Sequence, residues 1–150
     1  MPVDLHAHST ASDGTASPTE LVYLAVKCGL SALALTDHDT QEGIAEARKA
    51  SDGTPLDLIA GTELSLDYEP GGLHLVVLWL QPGPGPLQDR LQDLQAGRTD
   101  RNRKIVEILN GSGMQITIDE VSKEAGAGTV GRPHIAAVMK RKGYVTEIRH

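Results

Sequence analysis

The sequence has few aromatic residues and a single cysteine. Its 150 residues include no Phe, one Trp, three Tyr and one Cys. A core without large rings must be built from Leu, Val, Ile and Ala, and the lone Cys28 excludes an intrachain disulfide framework. The longest apolar run, 73–80, is far too short to cross a bilayer, and the polar N-terminus does not resemble a signal peptide. We therefore expect a cytoplasmic protein that has no membrane partner.

The charges are distributed unevenly along the chain. Hydrophobic residues make up 39 % and charged residues 23 % of the sequence, which is typical of a globular domain. Residues 1–80 contain 12 acidic and 3 basic side chains, whereas residues 81–150 contain 8 and 11. The net charges of −9 and +3 indicate two parts with different roles, although solvated helix faces alone would also give this division.

Apolar runs alternate with amphipathic segments in residues 1–80, which predicts strands alternating with helices. The strands are expected at 3–7, 30–35, 56–60 and 73–80, and the helices at 17–28 and 40–50. A capping box, Ser17-Pro-Thr-Glu20, begins the first helix, whose apolar stripe predicts that Leu24 and Cys28 lie in the core, as does Trp79 on the last strand. The alternation indicates an α/β fold with a parallel sheet or an α/β barrel.

The segment Gln81-Pro-Gly-Pro-Gly-Pro86 is incompatible with a helix or a central strand, so we interpret 81–86 as a linker. Helical patterns follow it, with apolar stripes at 87–94 and 105–109, a second capping box at 117–120, and a helix that begins near Pro133. These patterns predict a small helical module over 87–150, separate from the α/β unit over 1–80.

Side chains of the kind that bind metals cluster at the predicted strand ends, where parallel α/β folds build their active sites. The candidate ligands are His6, His8, Asp13, His38, Glu63 and His74. His74 lies near the start of its strand, so it joins the others only if that strand is bulged or runs in the opposite direction. A mixture of imidazole and carboxylate suits Zn²⁺, Mn²⁺ or Fe²⁺ better than Mg²⁺ or Ca²⁺, and six ligands exceed the need of one catalytic zinc. Several adjacent ions are typical of phosphoesterases.

Three motifs resemble the signature motifs of the PHP (polymerase and histidinol phosphatase) family in order and spacing. They are Asp4-Leu-His-Ala-His-Ser9, Leu35-Thr-Asp-His-Asp-Thr40 and Gly61-Thr-Glu63. The branch with 3′,5′-nucleoside bisphosphate phosphatases and 5′–3′ exoribonucleases also carries Gly131-Arg-Pro-His134 in a helical insertion. The resemblance implies a distorted seven-stranded β/α barrel with this insertion over the metal face.

The resemblance also implies a role for each candidate ligand. His6 and His8 would hold one ion, Glu63 would bridge to a second ion that also takes His74, and Asp13 and His38 would hold a third. The cofactors would be two to three divalent ions, Mn, Zn or Fe, with Mg as a further option. Asp37 and Asp39 are expected to orient His38 or to cap the next helix, and not to bind metal.

Arg132 and His134 would bind the phosphate of the substrate in such enzymes. A helix that begins with Pro leaves free N–H groups, and Arg132 adds a planar fork suited to phosphate. The alternative is that Arg132 is a surface residue and His134 caps the helix. The clusters Arg98, Arg101, Arg103, Lys104 and Lys140, Arg141, Lys142 either steer an anionic nucleotide or are solvated helix faces.

The chain departs from the family pattern after residue 143. The later His-Pro-type motif and the Asp-x-His near the C-terminus, which complete the metal shells in the family, are absent. We therefore interpret the chain as the N-terminal portion of a longer enzyme.

The predicted activity is hydrolysis of small nucleotides by a metal-bound hydroxide, which would release the 3′-phosphate of nucleoside 3′,5′-bisphosphates or trim short oligonucleotides in the 5′–3′ direction. The alternatives are a histidinol-phosphate phosphatase, a polymerase-type exonuclease domain, and a metal-binding module without turnover. No protein partner is predicted.

Overall fold

The computed structural model describes residues 2–69, 71–126 and 128–148, which form four strands and five helices. In chain order they are β1 (Val3–Ala7), α1 (Pro18–Lys27), β2 (Ala32–Leu35), α2 (Ile44–Ser51), β3 (Asp57–Tyr68), β4 (Gly71–Leu78), α3 (Pro86–Gly111), α4 (Ile118–Ala125) and α5 (Arg132–Arg141). The strands form one curled sheet in the order β1-β2-β3-β4, shaped like half of a barrel. The predicted α/β class is thus confirmed.

The direction of β4 explains how His74 reaches the others. β1, β2 and β3 are parallel, whereas β3 continues beyond its predicted end and forms an antiparallel hairpin with β4. Within the hairpin Ser65 pairs with His74 and Glu63 pairs with Val76. Because side chains alternate between faces along a strand, His74 and Glu63 are diagonal neighbours on one face. The opposite strand direction that His74 required is therefore present.

A local sequence signal fixes the start of α1, but the face of the helix that is buried differs from the predicted one. Ser17 caps the helix in the predicted capping box with Glu20. The core-facing side chains are those of Val22 and Ala25, whereas Leu24 is 52 % exposed and Cys28 is exposed. The prediction that Leu24 and Cys28 lie in the core was wrong because the apolar stripe is wider than the surface offered by the sheet and α2, which Val22 and Ala25 fill.

Trp79 is a second correction. The predicted strand included it in the core, but β4 ends at Leu78, and Trp79 is 73 % exposed in a left-handed backbone conformation with φ +56°. Leu80 N still donates to Ala60 O at 2.9 Å, so Trp79 forms a local bulge beside β3. The side chain is therefore directed into solvent.

Two apolar clusters lie in the two halves of the chain. Sheet residues such as Leu33 and Leu35 pack against α1 and α2. A second cluster joins the later helices through Val106, Val121 and Val138. The two stripes predicted at 87–94 and 105–109 belong to the single 26-residue helix α3, and the second capping box begins α4 as predicted. Among the described residues, no helix combines the length and the apolar character that crossing a membrane requires.

Leu35 and Leu24, both in the first half of the chain, give a matched test of this packing. Leu35 is 1 % exposed in the sheet core, so Leu35→Ala should lower the free energy of unfolding by about 2–5 kcal/mol through lost burial and a new cavity. Leu24→Ala removes the same atoms from a surface position, and its cost should stay below about 1 kcal/mol. Urea denaturation followed by circular dichroism measures both; equal losses would contradict the assigned α1 face.

Candidate metal centre

The sheet brings all six predicted ligands to one edge. His6 lies on β1 and His8 directly after it, while Asp13 lies in the loop that follows. Past the end of β2, His38 forms an isolated parallel bridge with Glu63 of β3. His74 completes the group from β4. Parallel strands place their carboxyl ends at the same edge, and the antiparallel β4 brings a residue from its first half there.

Glu63 lies at the centre of the group. Its Oε2 is 2.8 Å from His6 Nε2 and 2.9 Å from His8 Nε2, and its Oε1 is 2.6 Å from His74 Nδ1. The Nδ1 of His38 is 3.6 Å from Oε2. The Glu63 side chain is only 7 % exposed. One buried carboxylate therefore faces four imidazoles that come from three segments of the chain.

Asp13 faces two of these rings from the side opposite to Glu63. His8 Nδ1 lies 3.0 Å from Asp13 Oδ1, and His38 Nε2 lies 3.6 Å from Asp13 Oδ2. His8 and His38 thus direct one ring nitrogen towards Glu63 and the other towards Asp13. Three groups of ligand atoms result, each within 4.8 Å: His6, His8, Glu63; His8, Asp13, His38; and His38, Glu63, His74.

The arrangement fits divalent ions better than it fits hydrogen bonding alone. The Nε2 atoms of His6 and His8 lie 3.0 Å apart while both face the same Glu63 oxygen, and His38 Nδ1 is buried without a hydrogen-bond partner among the described residues. Buried polar atoms normally have a partner. Donor atoms about 3.4 Å apart are what a tetrahedral ion with bonds of about 2.1 Å requires, and the two His38 contacts at 3.6 Å are near this spacing.

The protonation states of His38 and Asp13 suit the same chemistry. Burial, and then the positive charge of Arg98, lower the pKa of His38 to about 4, so its ring is neutral at neutral pH. Burial alone would raise the pKa of Asp13, but its hydrogen bond with His8 and the nearby positive charges lower it to about 2. Neutral imidazoles and ionised carboxylates are the forms that bind metal ions.

Asp37 fixes the loop that carries Asp13. Its Oδ1 accepts hydrogen bonds from Ser9 N at 2.7 Å and from Ser12 Oγ at 2.6 Å, and its Oδ2 accepts from Ser9 Oγ at 2.7 Å. The sequence predicted that Asp37 orients His38 or caps the next helix. The contacts correct this, since the serines of the preceding loop occupy Asp37 and Gly43 is the N-cap of α2.

Asp39 fixes the position of α3 in a similar way, by accepting hydrogen bonds. It is completely buried, and its Oδ2 accepts from Arg98 Nε while its Oδ1 accepts from Ser65 N at 2.8 Å. Arg98 also donates to Ser65 Oγ, and its side chain is 7 % exposed. The sequence does not predict this ion pair, because Arg98 is one of several basic residues on α3. No sequence pattern distinguishes the buried arginine from its exposed neighbours.

The structure places Arg132 and His134 on different cavities. His134 and Asp13 line a cavity of about 430 Å³, whereas Arg132 and His74 line one of about 600 Å³. His134 Nδ1 accepts a hydrogen bond from Gly131 N at 2.9 Å, so it caps α5 and keeps Nε2 for another partner. Arg132 is exposed. His134 therefore caps the helix, which is the alternative role for this residue.

Two glycines allow close backbone contacts of the Asp13 loop, Gly14 within the loop and Gly128 between the loop and the segment before α5. A Cβ atom on Gly14 would collide with the carbonyl oxygen of His8, and one on Gly128 would collide with that of Thr10. Thr129 N donates to Ala11 O at 3.0 Å across the same contact. The backbone of the Asp13 loop is thus held between the sheet and the helical half.

Comparisons with known proteins agree with this arrangement. A family model of the PHP domain matches residues 4–146, and the chain belongs to this family of metal-dependent phosphoesterases. A 5′-3′ exoribonuclease from Haemophilus influenzae is 40 % identical over 95 % of the chain and 52 % of its own length. A 3′,5′-nucleoside bisphosphate phosphatase from Chromobacterium violaceum is 31 % identical over 98 % of the chain and 52 % of its own length. The chain thus spans about half the length of these relatives.

Solved structures give the same result. The chain superposes with a TM-score of 0.85 on a protein assigned as a metal-dependent phosphoesterase from Bifidobacterium adolescentis, at 35 % identity over 96 % of this chain and 51 % of that one. An amidohydrolase from Chromobacterium violaceum with bound sulfate and no metal superposes with a TM-score of 0.88, at 31 % identity over 97 % and 51 % of the two chains. The predicted family resemblance is confirmed.

The Asp39–Arg98 pair predicts an unequal cost of removing two arginines from α3. Arg98→Met leaves the buried Asp39 without its counter-charge and should lower the free energy of unfolding by about 3–5 kcal/mol. Arg103→Met removes an exposed partner of Asp100 and should cost less than about 1 kcal/mol. Urea denaturation measures both, and Asp39→Asn combined with Arg98→Met should recover part of the loss. Equal costs for the two arginines would contradict the buried pair.

Proposed function

We propose that the protein is a metal-dependent phosphatase that releases the 3′-phosphate of nucleoside 3′,5′-bisphosphates or trims short oligonucleotides in the 5′–3′ direction. The observation that carries this proposal is the buried Glu63, which faces His6, His8 and His74 at the open edge of the sheet. The names of the relatives support the substrate class, since one is a nucleoside bisphosphate phosphatase and another an exoribonuclease.

The proposed cofactors are two to three divalent ions, Mn, Zn or Fe, with Mg as a further option. Their proposed ligands are His6, His8, Asp13, His38, Glu63 and His74, divided among the three groups described above. When bound, such ions supply a hydroxide nucleophile at neutral pH and stabilise charge on the phosphate oxygens. The carboxylate of Glu63 would orient the rings around it, because its two oxygens face ligands of different groups.

Arg132 and His134 are the proposed phosphate-binding residues. Within the described part of the chain no carboxylate pairs with Arg132, so its guanidinium can donate two hydrogen bonds to one phosphate. His134 lies near Asp13, and its Nε2 remains available as a donor because Nδ1 is occupied by Gly131. These positions would let the two residues bind the substrate from two sides of the centre.

The remaining structure is also a proposal. We infer that residues 1–80 form the first part of a seven-stranded barrel, that 81–86 link it to the insertion, and that 87–150 contain this insertion. The chain spans about half the length of these relatives. We also propose the cytoplasm as the compartment, which suits a chain with the single Cys28.

Metal content gives a direct test of the centre. Elemental analysis of the purified chain should find more than one Mn, Zn or Fe ion per protein. Glu63→Gln should weaken metal binding about 100-fold or more, because even partners that only support metal ligands cost about 10–100-fold. The control, Glu107→Gln, changes an exposed carboxylate on α3 and should leave the metal content unchanged. A folded chain that binds no metal would rule out the centre.

Phosphate release tests the activity. With Mn²⁺ present we expect release from adenosine 3′,5′-bisphosphate, little from histidinol phosphate, and none in EDTA. Arg132→Gln should lower kcat/KM for the bisphosphate about 10- to 100-fold, the size expected for a lost charged hydrogen bond. Arg103→Gln, an exposed residue on α3, is the control. Metal binding without turnover would instead favour the metal-binding module.

A further inference from the structure

Asp39 directly follows the candidate ligand His38, and its backbone is in the left-handed conformation with φ +53°. This conformation is unfavourable for residues other than glycine, although Asp and Asn tolerate it better than most. It persists only where the surrounding structure holds it. The contacts of Asp39 therefore determine the path of the chain as it leaves His38.

Asp39 is held from two sides, by β3 and by α3. Its N–H donates to Glu63 O at 3.0 Å, and its Oδ1 accepts from Ser65 N at 2.8 Å, both on β3. From α3, Gln95 Nε2 donates to Asp39 O at 2.9 Å, and Arg98 Nε donates to Asp39 Oδ2. Gln95 and Arg98 are three positions apart, so they are neighbours on one face of the helix. Every polar group of Asp39 is thus hydrogen-bonded, and half of these bonds come from α3.

The position of the His38 ring depends strongly on this backbone. A metal-binding His normally uses its second ring nitrogen for a hydrogen bond that fixes the ring. His38 Nδ1 is buried without a partner among the described residues, and His38 Nε2 lies 3.6 Å from Asp13 Oδ2, beyond hydrogen-bond distance. The ring otherwise contacts the rings of His8 and His74, which are themselves candidate ligands. The backbone on either side of His38 therefore has a large part in placing this ring.

We propose that Arg98 is a positioning residue for His38, because it holds Asp39 in the left-handed conformation and thereby sets the affinity for the metal ions that His38 binds. The inference rests on the proposed function and deepens it, since the metal centre then depends on a helix that contributes none of the candidate ligands. Two of the three groups of candidate ligands contain His38, whereas the group around His6 does not. Loss of the Arg98 contact should therefore weaken metal binding by His38 and spare the group around His6.

The test compares two double variants, each of which removes one arginine and one aspartate. Asp39→Asn with Arg98→Met leaves neither buried charge unpaired, and Asn tolerates the left-handed conformation, so this variant should fold. Calorimetric titration of the metal-free chain with Mn²⁺ should show at least one site weakened about 10- to 100-fold and at least one site unchanged. The matched control, Asp100→Asn with Arg103→Met, removes an exposed ion pair on α3 and should change each affinity less than about threefold.

A ligand variant shows whether the effect acts through His38. His38→Gln removes the candidate ligand directly and should abolish the binding that Asp39→Asn with Arg98→Met weakens. The three substitutions together should weaken Mn²⁺ binding no further than His38→Gln alone, because residues that act through one another have non-additive effects. A general loosening of the fold would instead add its own loss. Additive losses would therefore contradict the positioning role.

The single variant Arg98→Met separates positioning from charge. Removal of a positive charge near a cation site would by itself strengthen metal binding. Loss of the hydrogen bond to Asp39 should weaken metal binding, so the two effects have opposite signs. We expect weaker binding of Mn²⁺, and stronger binding would overturn the inference. The double variants decide the question independently if Arg98→Met does not fold.

The outcomes separate this inference from the proposed function. Equal Mn²⁺ affinities of the two double variants would overturn the positioning role of Arg98, even if the wild-type chain releases phosphate from adenosine 3′,5′-bisphosphate. Mn²⁺ binding that depends on Arg98, in a chain that releases no phosphate, would support the positioning role and contradict the proposed activity. A wild-type chain that binds no Mn²⁺ would overturn both.

Discussion

The burial of one carboxylate, that of Glu63, is the constraint on which the rest of the site depends. A buried carboxylate needs positively polarised partners, and here four imidazoles from three separate segments provide them. Their convergence requires the parallel strands to end at one edge and the antiparallel β4 to return to it. The same convergence leaves ring nitrogens facing each other, an arrangement that a divalent ion between them would stabilise.

The helical half of the molecule contributes to this site through its backbone and through one buried ion pair. Arg98 of α3 reaches Asp39, which lies next to a candidate ligand, and Ser65 joins the same network. The helices therefore do more than cover the sheet. A displacement of α3 would remove Arg98 from the completely buried Asp39. Because a buried carboxylate without its counter-charge is destabilising, the ion pair holds α3 against the sheet.

Much of the fold and the candidate ligand set could be predicted from the sequence because they depend on local signals. The capping boxes that begin α1 and α4 are formed by residues three positions apart, and the motifs around His6, His38 and Glu63 follow recognisable strand patterns. The errors concern choices made by tertiary packing. Leu24 and Trp79 are as apolar as the core residues, and only the shape of the partner surface leaves them in solvent. Arg98 resembles its exposed neighbours on α3, since its burial depends on a residue 59 positions away.

The close backbone contacts at Gly14 and at Gly128 have a consequence for the evolution of such a protein. Neither position accepts even a methyl group without moving the backbone that supports Asp13. The loop and the segment before α5 form a single steric unit through Gly128 and the hydrogen bond from Thr129 N to Ala11 O. A helical half taken from a distant relative would have to reproduce the shape of this contact before its proposed phosphate-binding side chains could have any effect. Exchange of substrate specificity between relatives is thus limited by backbone shape as well as by side-chain chemistry.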